Sequence, residues 1–79
     1  MNKQQIFDVI VGHAKEVLPE LESHDFKFED ALKDLGANSI DRSEIVMMTL
    51  ESIELNIPLI EIAKAENMGQ LATLLQEKF

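Results

Sequence analysis

Ser39 is the residue of this 79-residue chain best placed to do chemistry. It sits in Leu35-Gly-Ala-Asn-Ser-Ile-Asp-Arg-Ser-Glu-Ile-Val46, directly ahead of an amphipathic run, so a helix should open at its position. A serine hydroxyl becomes a nucleophile when a nearby base takes its proton, and His13 and His24 are the two histidines available. No Gly-x-Ser-x-Gly elbow surrounds Ser39, and no oxyanion loop suggests itself. A chain this small also leaves little room for an enclosed substrate pocket. Catalysis is therefore not expected. His13 falls on or beside an apolar stripe as a packed or half-exposed residue, and His24 sits in a polar loop as a solvated one. On residue type alone, Ser39 reads as a helix cap.

The acidic stretch Asp25, Glu29, Asp30 and Asp34 raises the question of a metal. Its spacing lacks the Asp-x-Asp-x-Asp-Gly pattern of a calcium loop, so no metal site is expected beyond nonspecific screening. There is no cysteine, which excludes a disulfide framework, a thiolate metal site and a cysteine nucleophile.

Fifteen acidic against seven basic residues give a formal charge of −8. A field of that sign repels nucleic acid and anionic membranes and attracts basic protein surfaces. The same charge also serves simply to keep a small domain soluble. No apolar run reaches the length of a membrane span. Ile6–Val11 is short, broken by Asp8 and without a small-residue cleavage site, so it does not read as a signal peptide. A cytosolic monomer is the expectation. An apolar share of 46% suits one globular domain over residues 1–79, and with Phe the sole aromatic type the core must be mostly Leu, Ile, Val and Met.

The elements that position Ser39 follow from periodicity. Ile6, Val9, Ile10, Val17 and Leu21 share a stripe widened by Phe7, Ala14 and Leu18, predicting a first helix over Lys3–Leu18 that Pro19 ends. A long connection runs from Pro19 to Asn38. A loop of that length must pack on the core, with Phe26, Phe28, Leu32 and Leu35 as anchors, a helical turn within Glu29–Leu35, and Gly36 as its stop. The second helix starts at Asn38 or Ser39 and runs to about Glu54. Pro58 precedes a short third helix over Leu59–Lys64. Asn67-Met-Gly-Gln70 resembles a capping box for a last helix whose face holds Met68, Leu71, Ala72, Leu75 and Phe79. The prediction is an all-α four-helix bundle with a short third helix and a long loop between the first two.

The second helix has two unlike faces. Ile45, Val46, Thr49, Leu50 and Ile53 form a core stripe. Ile40, Glu44, Met47 and Glu51 lie opposite, with Asp41 and Met48 beside them. Carboxylates around flexible Met side chains suit a surface that receives basic partners. Alternatively, Met47 and Met48 are core fillers in a helix buried on more than one side.

The stretch from Leu35 to Val46 resembles the acyl carrier protein signature Leu-Gly-x-Asp-Ser-Leu followed by an acidic, apolar helix. The likeness in length, acidity and helix order covers nearly the whole chain. The resemblance implies that Ser39 receives 4′-phosphopantetheine from coenzyme A through a phosphopantetheinyl transferase, and that acyl groups ride as thioesters on the arm's sulfur. It implies a non-catalytic carrier. It also implies a partner face of Asn38, Ile40, Asp41, Glu44, Met47, Met48 and Glu51 for basic patches on acyltransferases, ketosynthases or related enzymes. A serine opening a helix agrees with this, because the positive helix end favours a phosphodiester.

Three positions depart from the family pattern. Asn38 replaces the usual Asp, Ile40 the common Leu, and Ser43 an apolar residue. The loss of the carboxylate at position 38 is expected to affect the transferase and leave the fold intact. The atypical Asn-Ser-Ile looks more like discrete carriers of polyketide assembly than a housekeeping fatty-acid carrier. One such class donates acetyl units to a hydroxymethylglutaryl-CoA-synthase-like enzyme of a β-branching cassette. The alternatives are an unmodified acidic interaction module and a carrier of aminoacyl or peptidyl groups.

Overall fold

The computed structural model describes every residue from Met1 to Phe79, and all of its regular structure is helical. Four α-helices are joined by two 3₁₀ turns: α1 Lys3–Val17, turns at Pro19–Leu21 and Leu32–Leu35, α2 Ser39–Ser52, α3 Leu59–Ile62 and α4 Met68–Glu77. This is the expected four-helix arrangement with a short third member.

Helix α1 opens on a reciprocal cap that the periodicity alone did not disclose. Asn2 Oδ1 accepts from the Gln5 N–H at 2.8 Å while Gln5 Oε1 accepts from the Asn2 N–H at 2.9 Å. The helix ends one residue short of Leu18, which leaves helical geometry at φ −123°, ψ 80° because Pro19 crowds the residue before it. A single apolar core joins Ile6, Phe7, Ile10 and Ala14 of α1, Ile45, Val46 and Leu50 of α2, Ile62 of α3, and Met68, Leu71, Ala72 and Leu75 of α4. Thr49 is buried among them without cost in hydrogen bonding, since its Oγ1 donates to the Ile45 carbonyl at 2.8 Å.

The long loop is held by the start of α4. The Met68 N–H donates to the Asp30 carbonyl at 2.8 Å, and the Gly69 N–H donates to the Phe28 carbonyl at 2.7 Å. A helix N-terminus has donors with no partner inside the helix, and here the loop supplies the acceptors. Phe26 and Leu32 pack on the core as expected, Phe28 lies edge-on to Phe7 with centroids 4.7 Å apart, and Leu35 is half-buried outside the core. His24, expected to be merely solvated, is half-buried: Nε2 lies 3.0 Å from the Asp30 carboxylate and the ring stands edge-on to Phe26. The same carboxylate accepts the Lys27 N–H at 2.8 Å. That backbone donor, followed by His24, holds Asp30 below its ordinary pKa.

Three further boundaries differ from expectation. Helix α2 stops at Ser52, two residues before Glu54, which takes a left-handed φ of 56°. Helix α3 covers only Leu59–Ile62, because Ile62 is its one buried side chain and nothing draws the next turn inward. At α4, Asn67 caps the Gln70 N–H at 2.8 Å, but Gln70 Oε1 reaches past Asn67 to the Glu66 N–H, also at 2.8 Å. The helix ends at Glu77, so Phe79 lies beyond it and is 55% exposed instead of sharing the apolar face.

Candidate functional site

The N-terminus of α2 is built by the three residues before it. Gly36 ends the preceding 3₁₀ turn at φ 101°, a conformation that disfavours any residue with a Cβ. Ala37 is buried, and Arg42 reaches back to donate to its carbonyl at 2.8 Å. Asn38 is the cap: Oδ1 accepts from the Asp41 N–H at 2.8 Å, and the Asp41 carboxylate accepts from the Asn38 N–H at 3.2 Å.

That reciprocal box decides the role left open for Ser39. The capping is done by Asn38, and Ser39 is the first helical residue. It is exposed, and its hydroxyl is engaged in no hydrogen bond. The N–H groups of Ser39 and Ile40 have no acceptor within the protein, so the positive end of α2 is open beside the hydroxyl. Neither histidine is brought to Ser39. His13 Nε2 lies 2.7 Å from Ser52 Oγ at the other end of α2, and His24 is committed to Asp30. Neither imidazole is therefore in place to take the serine's proton.

The two faces of α2 separate as the spacing predicted. Ile45, Val46, Thr49 and Leu50 are buried. Ile40 is 74% and Met47 59% exposed, with Glu44 and Glu51 exposed beside them. Met47 is thus no core filler. Met48 is half-buried, as is Asp41, whose carboxylate is partly used in the cap.

Two further exposed aliphatic residues stand on α3, Leu59 at 46% and Ile60 at 79%. Helical periodicity does not single them out. The signal was present in Ile57-Pro-Leu-Ile-Glu-Ile62, which holds more aliphatic side chains than one helical turn can turn inward. Between α2, α3 and the long loop lies a cleft of about 700 Å³. Leu32, Val46 and Ile62 are among its apolar walls, and Arg42, Ser43 and Leu59 also line it. At about 100° per residue, Ser39 lies within about 40° of Ser43 around the helix axis. Ser39 therefore stands one turn beyond the cleft, on the same side of α2.

No family model matches the chain. Individual proteins do. The chain is 50% identical over 78 residues to the polyketide biosynthesis acyl-carrier-protein AcpK of Bacillus subtilis (strain 168), covering 99% of this chain and 95% of that one. It is 31% identical over 78 residues to the acyl carrier protein of Guillardia theta, covering 99% and 96%. Among solved structures it is similar to the acetyl donor-ACP crystallised in complex with the HMG synthase of the curacin biosynthetic pathway. That likeness has a TM-score of 0.94 and 45% identity over 99% of this chain and all of the other. These relatives match from end to end, not only around the Asn-Ser-Ile segment. The chain belongs to the acyl carrier proteins.

Proposed function

We propose that Ser39 is the attachment point of a 4′-phosphopantetheine arm and that the protein is a non-catalytic acyl carrier of polyketide biosynthesis. One observation carries this reading: Asn38 takes the capping role, leaving an exposed Ser39 hydroxyl free at the first position of α2. A phosphodiester formed there meets the unpaired N–H groups of Ser39 and Ile40 and the positive end of the helix. The arm supplies the thiol that this cysteine-free chain lacks, so the cargo is held as a thioester. Glu44 and Glu51 steer basic partners towards the serine, the transferase first among them. Working in the cytosol as a single monomeric domain agrees with the −8 charge and with the lack of any helix long and apolar enough to cross a membrane.

Within that role, we infer that the cargo is acetyl and the receiving enzyme an HMG-synthase-like one. The 45% identity to the acetyl donor-ACP of the curacin complex, over the full chain, favours this over fatty-acid elongation. The test begins with the purified protein, coenzyme A, magnesium and a broad-specificity phosphopantetheinyl transferase, read by intact mass beside Ser39→Ala. A gain of one phosphopantetheine in the native protein alone is expected. No gain with the native pathway's own transferase would leave an unmodified interaction module.

A further inference from the structure

Arg42 is the one cation of α2, and it is half-buried. A partly buried guanidinium ordinarily finds a carboxylate, because desolvating the charge unpaired is costly. This chain offers fifteen carboxylates, yet Arg42 pairs with none of them. The four ion pairs of the protein use His13, His24, Lys27 and Lys78. Asp41, its neighbour in the chain, is turned to the Asn38 N–H. The one hydrogen bond of Arg42 runs from Nη1 to the Ala37 carbonyl at 2.8 Å. A guanidinium carries five N–H donors in a fixed fork, so most of them stay available.

The direction of that bond places the donors. Ala37 precedes Ser39, so the Arg42 side chain reaches back along α2 towards its N-terminus, as long side chains on helices do. Residues three apart are neighbours on a helix surface, and Ser39 stands three before Arg42. The guanidinium is thereby drawn to the level of the exposed Ser39 hydroxyl. Asn38 adds to this arrangement. Where the family signature has Asp, this chain has a neutral side chain, so no carboxylate at that position competes for Arg42. Arg42 also lines the cleft between α2, α3 and the long loop, on the side of α2 to which Ser39 belongs.

We propose that Arg42 holds the phosphodiester that joins the arm to Ser39 and is a positioning residue for the arm. The ligand chemistry is a phosphodiester monoanion, which a guanidinium fork receives through two parallel N–H···O bonds. Attachment adds one negative charge to a helix that already carries Asp41 and Glu44 near its start, and Arg42 offsets it. Holding the first group of the arm on the cleft side of α2 restricts the directions in which the rest can leave. The inference rests on the attachment of the arm at Ser39 proposed above, and it names the residue of this chain that fixes the arm's base.

The experiment compares native protein, Arg42→Gln, Arg42→Lys and Lys15→Gln, each unmodified and phosphopantetheinylated, with conversion checked by intact mass. The quantity read is the change in melting temperature on modification within each variant. Loss of the Ala37 hydrogen bond affects both forms of a variant and cancels. Native protein should gain about 2–5 °C on modification. Lys15→Gln removes the same charge two residues after His13, at the far end of α2, and should keep the whole gain. Arg42→Gln should lose most of it, and Arg42→Lys should keep part, as a point charge without the fork. In native protein, which needs no substitution, the guanidinium N–H resonances of Arg42 should shift on modification. Equal changes in native protein and Arg42→Gln, an equal loss in Lys15→Gln, or unmoved Arg42 resonances would overturn the contact and leave the attachment intact. No mass gain in any of the four, even with the native pathway's own transferase, would overturn the attachment, and the contact with it.

Discussion

The Gly69 N–H donates to the Phe28 carbonyl at 2.7 Å, and a Cβ placed on Gly69 would lie 2.8 Å from the Phe28 Cβ and 2.9 Å from its carbonyl oxygen. This approach fixes the long loop on α4 and brings Phe28 onto Phe7. Both obstructing groups lie on or next to the backbone, so no flexible side chain can move aside. Gly69→Ala should lower stability by about 1–3 kcal/mol, read as an earlier chemical-denaturation midpoint. Gly12 is the control. It lies inside α1 with nothing within 4 Å of a new Cβ, so Gly12→Ala should raise stability by about 0.5–1 kcal/mol. Equal effects at the two positions would contradict the close-approach account.

Most of the fold was legible because helical periodicity and caps are local properties. The stripe of α1, the two faces of α2 and the stop at Gly36 all depend on residues within a turn or two of one another. What was not legible is what depends on distant partners. His24 read as solvated because nothing near it in sequence announces that the loop folds Asp30 back beneath it. Ile60 was passed over because its exposure depends on where α3 settles. The role of Ser39 was undecided for a different reason: Asn and Ser are both good caps, and only the backbone shows that the helix begins after Asn38.

The Asp30 hub should give the protein an acid-sensitive loop. Asp30 has a folded pKa below its ordinary value of 3.8, from the Lys27 N–H and then His24. A depressed carboxylate stabilises the folded state fully above its unfolded pKa, and the gain disappears as pH falls through the folded one. Asp30→Asn should therefore cost about 1 kcal/mol at pH 7, with the gap to native protein closing below about pH 4. Denaturation at a series of pH values checks this. A constant gap across the range would place the loss in packing rather than charge.

His13 and Ser52 form a tie between α1 and the end of α2, with Nε2 and Oγ 2.7 Å apart. The His13 side chain is 17% exposed, so water replaces a lost partner less readily than on an open surface. Ser52→Ala and His13→Ala should each destabilise by about 1 kcal/mol, and the double variant by less than their sum. Strict additivity in a double-mutant cycle would show that the hydrogen bond contributes nothing in solution. Modification of Ser39 should be unaffected by either change, since both residues lie at the far end of α2.

Asn38 offers the sharpest separation of fold from function. Its side chain accepts the Asp41 N–H at 2.8 Å, a role that an aspartate carboxylate performs equally well. The added charge is favoured by the helix N-terminus and opposed by the neighbouring Asp41 carboxylate. Asn38→Asp should consequently leave stability within about 0.5 kcal/mol of native, whereas Asn38→Ala should lose about 1 kcal/mol. The two variants part again when a broad-specificity transferase acts on them. Asn38→Asp restores the carboxylate of the family signature and should be modified faster than native protein, while Asn38→Ala should gain nothing. Initial rates of phosphopantetheine attachment, followed by intact mass at a temperature where all three proteins are folded, decide the matter. A native rate for Asn38→Asp would mean that the residue before Ser39 is read for its cap alone.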